Sequence, residues 1–116
     1  MTLPFEVPRA GRSTTAVRPF AIGVLAVQPD ESSPDESWEV RRTEERLQVA
    51  LTAHALGYFL LDVFEIWPGD AAGYERVEEL AIRTDADAFV VRGVVDEEVL
   101  KPMADRIRMR IRYSGP

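Results

Sequence analysis

Eight apolar residues in a row, Phe20-Ala21-Ile22-Gly23-Val24-Leu25-Ala26-Val27, stand between Pro19 and the polar group Gln28-Pro29-Asp30. An unbroken run of this kind leaves no face for solvent. It predicts a strand buried on both sides, at the centre of a parallel sheet covered by helices. The remaining elements then have to supply pairing on either side of this strand and cover above and below it. A chain of 116 residues, 46% of them hydrophobic, is enough for one such domain and its core.

Taken in order, residues 1–18 mix Pro4, Pro8, Gly11 and Ser13 with isolated hydrophobes and keep no period, which predicts a flexible arm ahead of a domain spanning 19–116. After the first strand, Ser33-Pro34-Asp35-Glu36 carries a helix-start pattern: a capping hydroxyl, a proline suited to the first helical position, and an acid where a capping box needs it. The helix is expected to start there, or later near Ser37 or Trp38, and to end at Gly57. Its predicted inward face is Val40, Leu47, Ala50, Leu51 and His54, with Arg41, Arg42, Glu44, Glu45 and Arg46 favouring the other side.

Tyr58–Trp67 reads as a second strand ended by Pro68-Gly69, with Asp62 and Glu65 near an exposed end or edge. Asp70 is placed to cap a helix over 71–83 whose buried stripe is Tyr74, Val77, Leu80 and Ala81. Ala88–Val91, extended to Arg92, is the third strand. Asp96, Glu97 and Glu98 open a short helix to about Asp105, which has to take Pro102 in its first turns or kink there. Arg106-Ile107-Arg108-Met109-Arg110-Ile111-Arg112-Tyr113 alternates strictly, the period of a strand with one arginine face. The whole predicts an α/β three-layer sandwich, with a mostly parallel sheet of four or five strands and helices on both faces.

Charge narrows the function classes. The net charge of −6 divides into +2 over residues 1–18, −12 over the middle and +4 over residues 101–116. An acidic body repels a nucleic-acid backbone, so nucleic acid is disfavoured as a partner unless the basic ends act apart from the body. The absence of cysteine removes thiolate metal sites and cysteine nucleophiles, and His54 is the single histidine. No signal-peptide pattern and no stretch long enough to cross a bilayer occurs, so a cytoplasmic protein without a membrane partner is expected.

Several segments together resemble the N-terminal catalytic domain of the serine recombinases, the resolvase and invertase family. Ala21-Ile22-Gly23-Val24-Leu25-Ala26-Val27-Gln28 is similar to that family's opening strand. Glu45-Arg46 through Leu56-Gly57-Tyr58 is similar to its first helix and the turn after it, and Leu60–Phe64 to its second strand. Tyr74-Glu75-Arg76-Val77-Glu78-Glu79-Leu80 with Asp87-Ala88-Phe89-Val90-Val91 is similar to a later helix and strand, so the likeness covers about residues 20–113. It implies a resolvase-like fold whose catalytic residues are missing. The nucleophilic serine falls at Gln28 and a family arginine at Ala26, while the segment Val94-Val95-Asp96-Glu97 holds none of the arginines that serve a phosphoryl transition state.

Other candidate chemistry stands on few residues. Asp30, Glu31, Asp96 and Lys101 lie where a phosphoacceptor receiver domain keeps its acidic pocket and lysine; solvated loop charges are the preferred alternative. His54 has no accompanying nucleophile motif and is expected to be a structural, packed or half-exposed side chain. Gly23 is expected to mark close packing, since no phosphate-loop pattern surrounds it. Arg108, Arg110 and Arg112 are read first as edge protection, then as a protein interface, and last as a nucleic-acid contact. The sequence therefore predicts a catalytically inactive, non-enzymatic interaction or regulatory module that uses no cofactor and self-associates or binds another protein. The alternative is a small-molecule or phosphate-binding, receiver-like module at the carboxyl edge of the sheet.

Overall fold

In a computed structural model of the chain, residues 19–27 and 36–115 are described. They form β1 (Phe20–Ala26), α1 (Glu36–Ala55), β2 (Phe59–Ile66), α2 (Ala71–Thr84), β3 (Ala88–Arg92), α3 (Glu97–Arg106) and β4 (Arg110–Tyr113). All strand pairs are parallel and the sheet order is β2-β1-β3-β4, an order known from flavodoxin-like doubly wound sheets. The residues expected in an N-terminal arm and the Ser33 cap lie outside the described residues.

The apolar run is central as its composition requires, and residues 21–25 are buried without a break. Its even positions, Ile22 and Val24, join Phe89 and Val91 beneath α2 and α3, meeting Val77, Leu100 and Met103. Ala21 faces the other way, where Ala88 and Val90 lie against Val49 and Ala53 of α1. Each large side chain fully buried here is worth about 1.5–3 kcal/mol. Phe89, Ile22 and Leu100 are the largest of them, so the α2/α3 side carries most of the core.

Local signals set the helix ends. Asp70 caps α2 by accepting the Gly73 N–H at 2.9 Å, and Asp85 closes it in the left-handed conformation with φ 56°. Asp96 caps α3 by accepting the Glu98 N–H at 3.1 Å. Pro102 is accommodated inside α3, at its sixth residue.

Two expectations are overturned. The first concerns α1. Four of the five predicted inward residues point to solvent, with Val40, Leu47 and Leu51 exposed by 56%, 54% and 51% and His54 exposed beside them, while Ala50 is half-buried. The helix instead buries Val49 and Ala53. The reason lies in the sheet: a Cβ on Gly23 would stand 2.8 Å from Val49 Cγ1, so the surface under α1 admits small side chains and a close helix, not a row of leucines. Charged partners at the strand ends reward the same orientation, since Arg42 and Arg46 reach Glu65 on β2, and Glu45 reaches Arg92 on β3.

The second concerns the alternating arginines. The predicted strand from Arg106 is shorter, because Arg106 ends α3 and Arg108 turns the chain with φ 61°. The Met109 N–H returns to the Ala104 carbonyl at 2.9 Å, which satisfies the helix end. Only Arg110 and Arg112 remain on β4, both exposed.

Candidate functional site

Helices that follow parallel strands begin at the carboxyl edge of the sheet, so the loops there gather around the end of β1. Two clefts open at this point. The one toward α1 has a volume of about 220 Å³ and is lined by Leu25, Val27, Arg41, Arg42, Glu45 and Gly93. The one toward α2 and α3 has about 420 Å³, with Trp67, Tyr74, Val94 and Asp96 on its walls.

The charges beside the smaller cleft are bound into the fold. Glu65 holds Arg42 Nε at 3.1 Å and Arg46 Nη1 at 2.9 Å, one on each carboxylate oxygen. Arg92 donates from Nε to Glu45 Oε1 at 2.5 Å and from Nη1 to the Ser114 carbonyl at 2.9 Å. Ser114 is the buried polar residue of this group. Its hydroxyl lies 2.8 Å from Thr52 Oγ1 and donates to the Gln48 carbonyl at 3.2 Å. Arg92 thus ties α1, β3 and the segment after β4 together, and the pattern is that of a clamp.

In the larger cleft the Tyr74 hydroxyl accepts the Asp96 N–H at 2.9 Å. Burial raises the Tyr74 pKa above its ordinary value of 10.0; the Asp96 N–H bond opposes this, and the carboxylates of Asp96, Asp70 and Glu97 add to it. The phenol therefore stays neutral at physiological pH. Two acids cap the flanking helices, so the N-terminal dipoles that would attract an anion already face carboxylates.

The residues singled out from the sequence do not converge here. Gln28, Asp30 and Glu31 lie outside the described residues. Asp96 lines the larger cleft, whereas Lys101 is exposed on α3, pairs with Glu97 at 3.3 Å and lines neither cleft. Among the described residues no group of three acids, histidines or cysteines is placed to hold a metal ion. Gly23 stands at the close approach expected of it, and His54 is on the solvent side of α1, more exposed than expected. Arg110 and Arg112 share one face of β4, paired in register with Ala88 and Val90, but α1 does not reach over that strand. Arg108 is separated from them by its turn conformation.

Sequence reasoning missed the Arg92, Glu45 and Ser114 cluster and the role of Tyr74. Each partner is far away along the chain, and no short motif marks them. No helix of the described residues is long and apolar enough to cross a membrane. The chain matches no protein-family model, no curated protein and no solved structure at a significant level.

Proposed function

We propose that this domain is a non-enzymatic interaction module of resolvase-like fold that self-associates through α1. The observation that carries this reading is the row of Val40, Leu47 and Leu51 on the outer face of α1, each more than half exposed. Apolar side chains grouped on one face of a helix favour contact with another protein surface.

The sheet edges offer poorer routes. β4 has four residues and presents Arg110 and Arg112, which discourages strand addition. β2 has a register irregularity opposite Ala21 and Ile22, with the charged Asp62 in its middle. The engaged state of Arg42, Glu45 and Arg92 supports a structural role for the polar residues of the smaller cleft. Light scattering after size exclusion tests the reading. A dimer is expected for the wild type and a monomer for Leu47→Glu with Leu51→Glu; a wild type that stays monomeric at high concentration overturns it.

A second reading, a small-molecule-binding module at the carboxyl edge, is favoured by the Trp67 and Tyr74 surfaces of the larger cleft. Acidic caps there speak against phosphate and for a neutral aromatic ligand. Quenching of tryptophan fluorescence by such compounds, lost in Tyr74→Ala, is its test.

A further inference from the structure

The outward seam of α1 consists of positions 40, 44, 47, 51 and 54, spaced four, three, four and three residues apart, and all five side chains are exposed. This spacing keeps one stripe along a helix and is the spacing of a two-helix contact. The stripe reads Val40, Glu44, Leu47, Leu51, His54. Its two polar members lie on either side of the two leucines, three residues from the nearer leucine at each end, so the four residues from Glu44 to His54 are symmetric about position 49, with Val40 extending the stripe at one end.

That symmetry has a consequence for a second copy laid alongside. With two α1 helices antiparallel and centred on position 49, Leu47 meets Leu51 of the other copy, twice, in the middle of the contact. Glu44 meets His54 of the other copy, twice, at its flanks. In a parallel pair Glu44 meets Glu44 and His54 meets His54, placing like groups together. Sliding the antiparallel pair by one heptad, so that Val40 meets Leu51, sets Glu44 against Leu47 and removes the carboxylate from water without a partner. Sliding it one heptad the other way sets His54 against Leu51. The small side chains of Ala50 and Ala55 beside the seam let the helices approach. The match of a carboxylate acceptor with an imidazole N–H donor therefore selects one orientation and one register.

We propose that two copies of this chain associate through an antiparallel α1–α1 contact, with Leu47 against Leu51 at its centre and Glu44 against His54 on either side. The inference rests on the self-association reading and adds its geometry. Because the chain has no cysteine, single substitutions report the register cleanly. Glu44→Cys and His54→Cys chains, mixed and oxidised, are expected to give a disulfide-linked pair made of one chain of each. Glu44→Cys alone is expected to give none.

Charge exchange supplies a second measure that needs no oxidation. Glu44→Lys alone is expected to weaken the dimer about tenfold, and adding His54→Glu to restore it. Self-linkage of Glu44→Cys, or a wild-type dimer whose mixed variants do not cross-link and whose charge exchange restores nothing, overturns the register while leaving self-association in place. A wild type that is monomeric at every concentration leaves the face to residues 1–18 or to another protein, and overturns both.

Discussion

The backbone N–H of Val63 donates to Oδ1 of Asp62 at 2.8 Å. Ile66 turns its carbonyl toward Val27 of the central strand, so strand alternation turns the polar groups of Val63 to the free edge of the sheet. The carbonyl of Val63 is also taken, by Arg46 Nη1 at 3.4 Å. Side chains thus occupy both groups that an incoming strand would use at this position.

Removing that protection exposes the edge. Asp62→Val combined with Arg46→Ala is expected to speed aggregation on warming, followed by static light scattering, because β2 then offers Phe59–Ile66 as a nearly unbroken apolar strand. Unchanged aggregation would show that the twist of the irregular strand protects it without these side chains.

Gly23→Ala is expected to destabilise the domain. The added methyl would lie 2.8 Å from Val49 Cγ1 and 3.0 Å from Val63 Cγ2, both on stiff, branched side chains. Overpacking costs about 1–3 kcal/mol. Loss of unfolded-state freedom returns only about 0.4–1 kcal/mol, so the overlap wins. A thermal melt by circular dichroism should fall by at least about 4 °C.

Arg92→Met keeps the aliphatic stem and deletes the charge that holds Glu45 and the Ser114 carbonyl. The pair is partly open to water, which limits its worth to about 1–2 kcal/mol. Urea unfolding of Arg92→Met, Glu45→Ala and the double variant should give less than the sum of the singles, because both remove the same interaction.

Tyr74 sets an alkaline limit. Its native pKa lies above the ordinary 10.0, so the neutral phenol's contribution is complete below pH 10 and is lost as pH rises from there through the raised value. The melting temperature should fall across that window, and fall less steeply in Tyr74→Phe. At neutral pH the same variant should cost about 1 kcal/mol, since the Asp96 N–H loses its acceptor.

The elements were legible because their signals are local. Pro68-Gly69 before Asp70, the acids opening α3 and the run of β1 each act over a few residues, and the structure places an element where each one predicts it. The strict alternation from Arg106 misled because the helix end competes for the same residues. Carbonyls at the end of α3 take the N–H groups of 107–109, and this outweighs a pattern that a free strand would express. Little of the candidate site could be read in advance: Arg92 joins residues 47 positions before it and 22 after it, and no spacing rule spans such distances.

By itself the sequence determined a parallel α/β sheet organised on Phe20–Val27, since a run that apolar is stable only when covered on both faces. Which side of α1 would cover it was decided only in the tertiary structure. The helix offers two faces, one of leucines and one of small residues with ionic neighbours. Gly23 and the alanines of the sheet accept only the second, while Glu65 and Arg92 supply its charged partners. The leucines are left facing outward, and the surface proposed for a second copy follows from that choice.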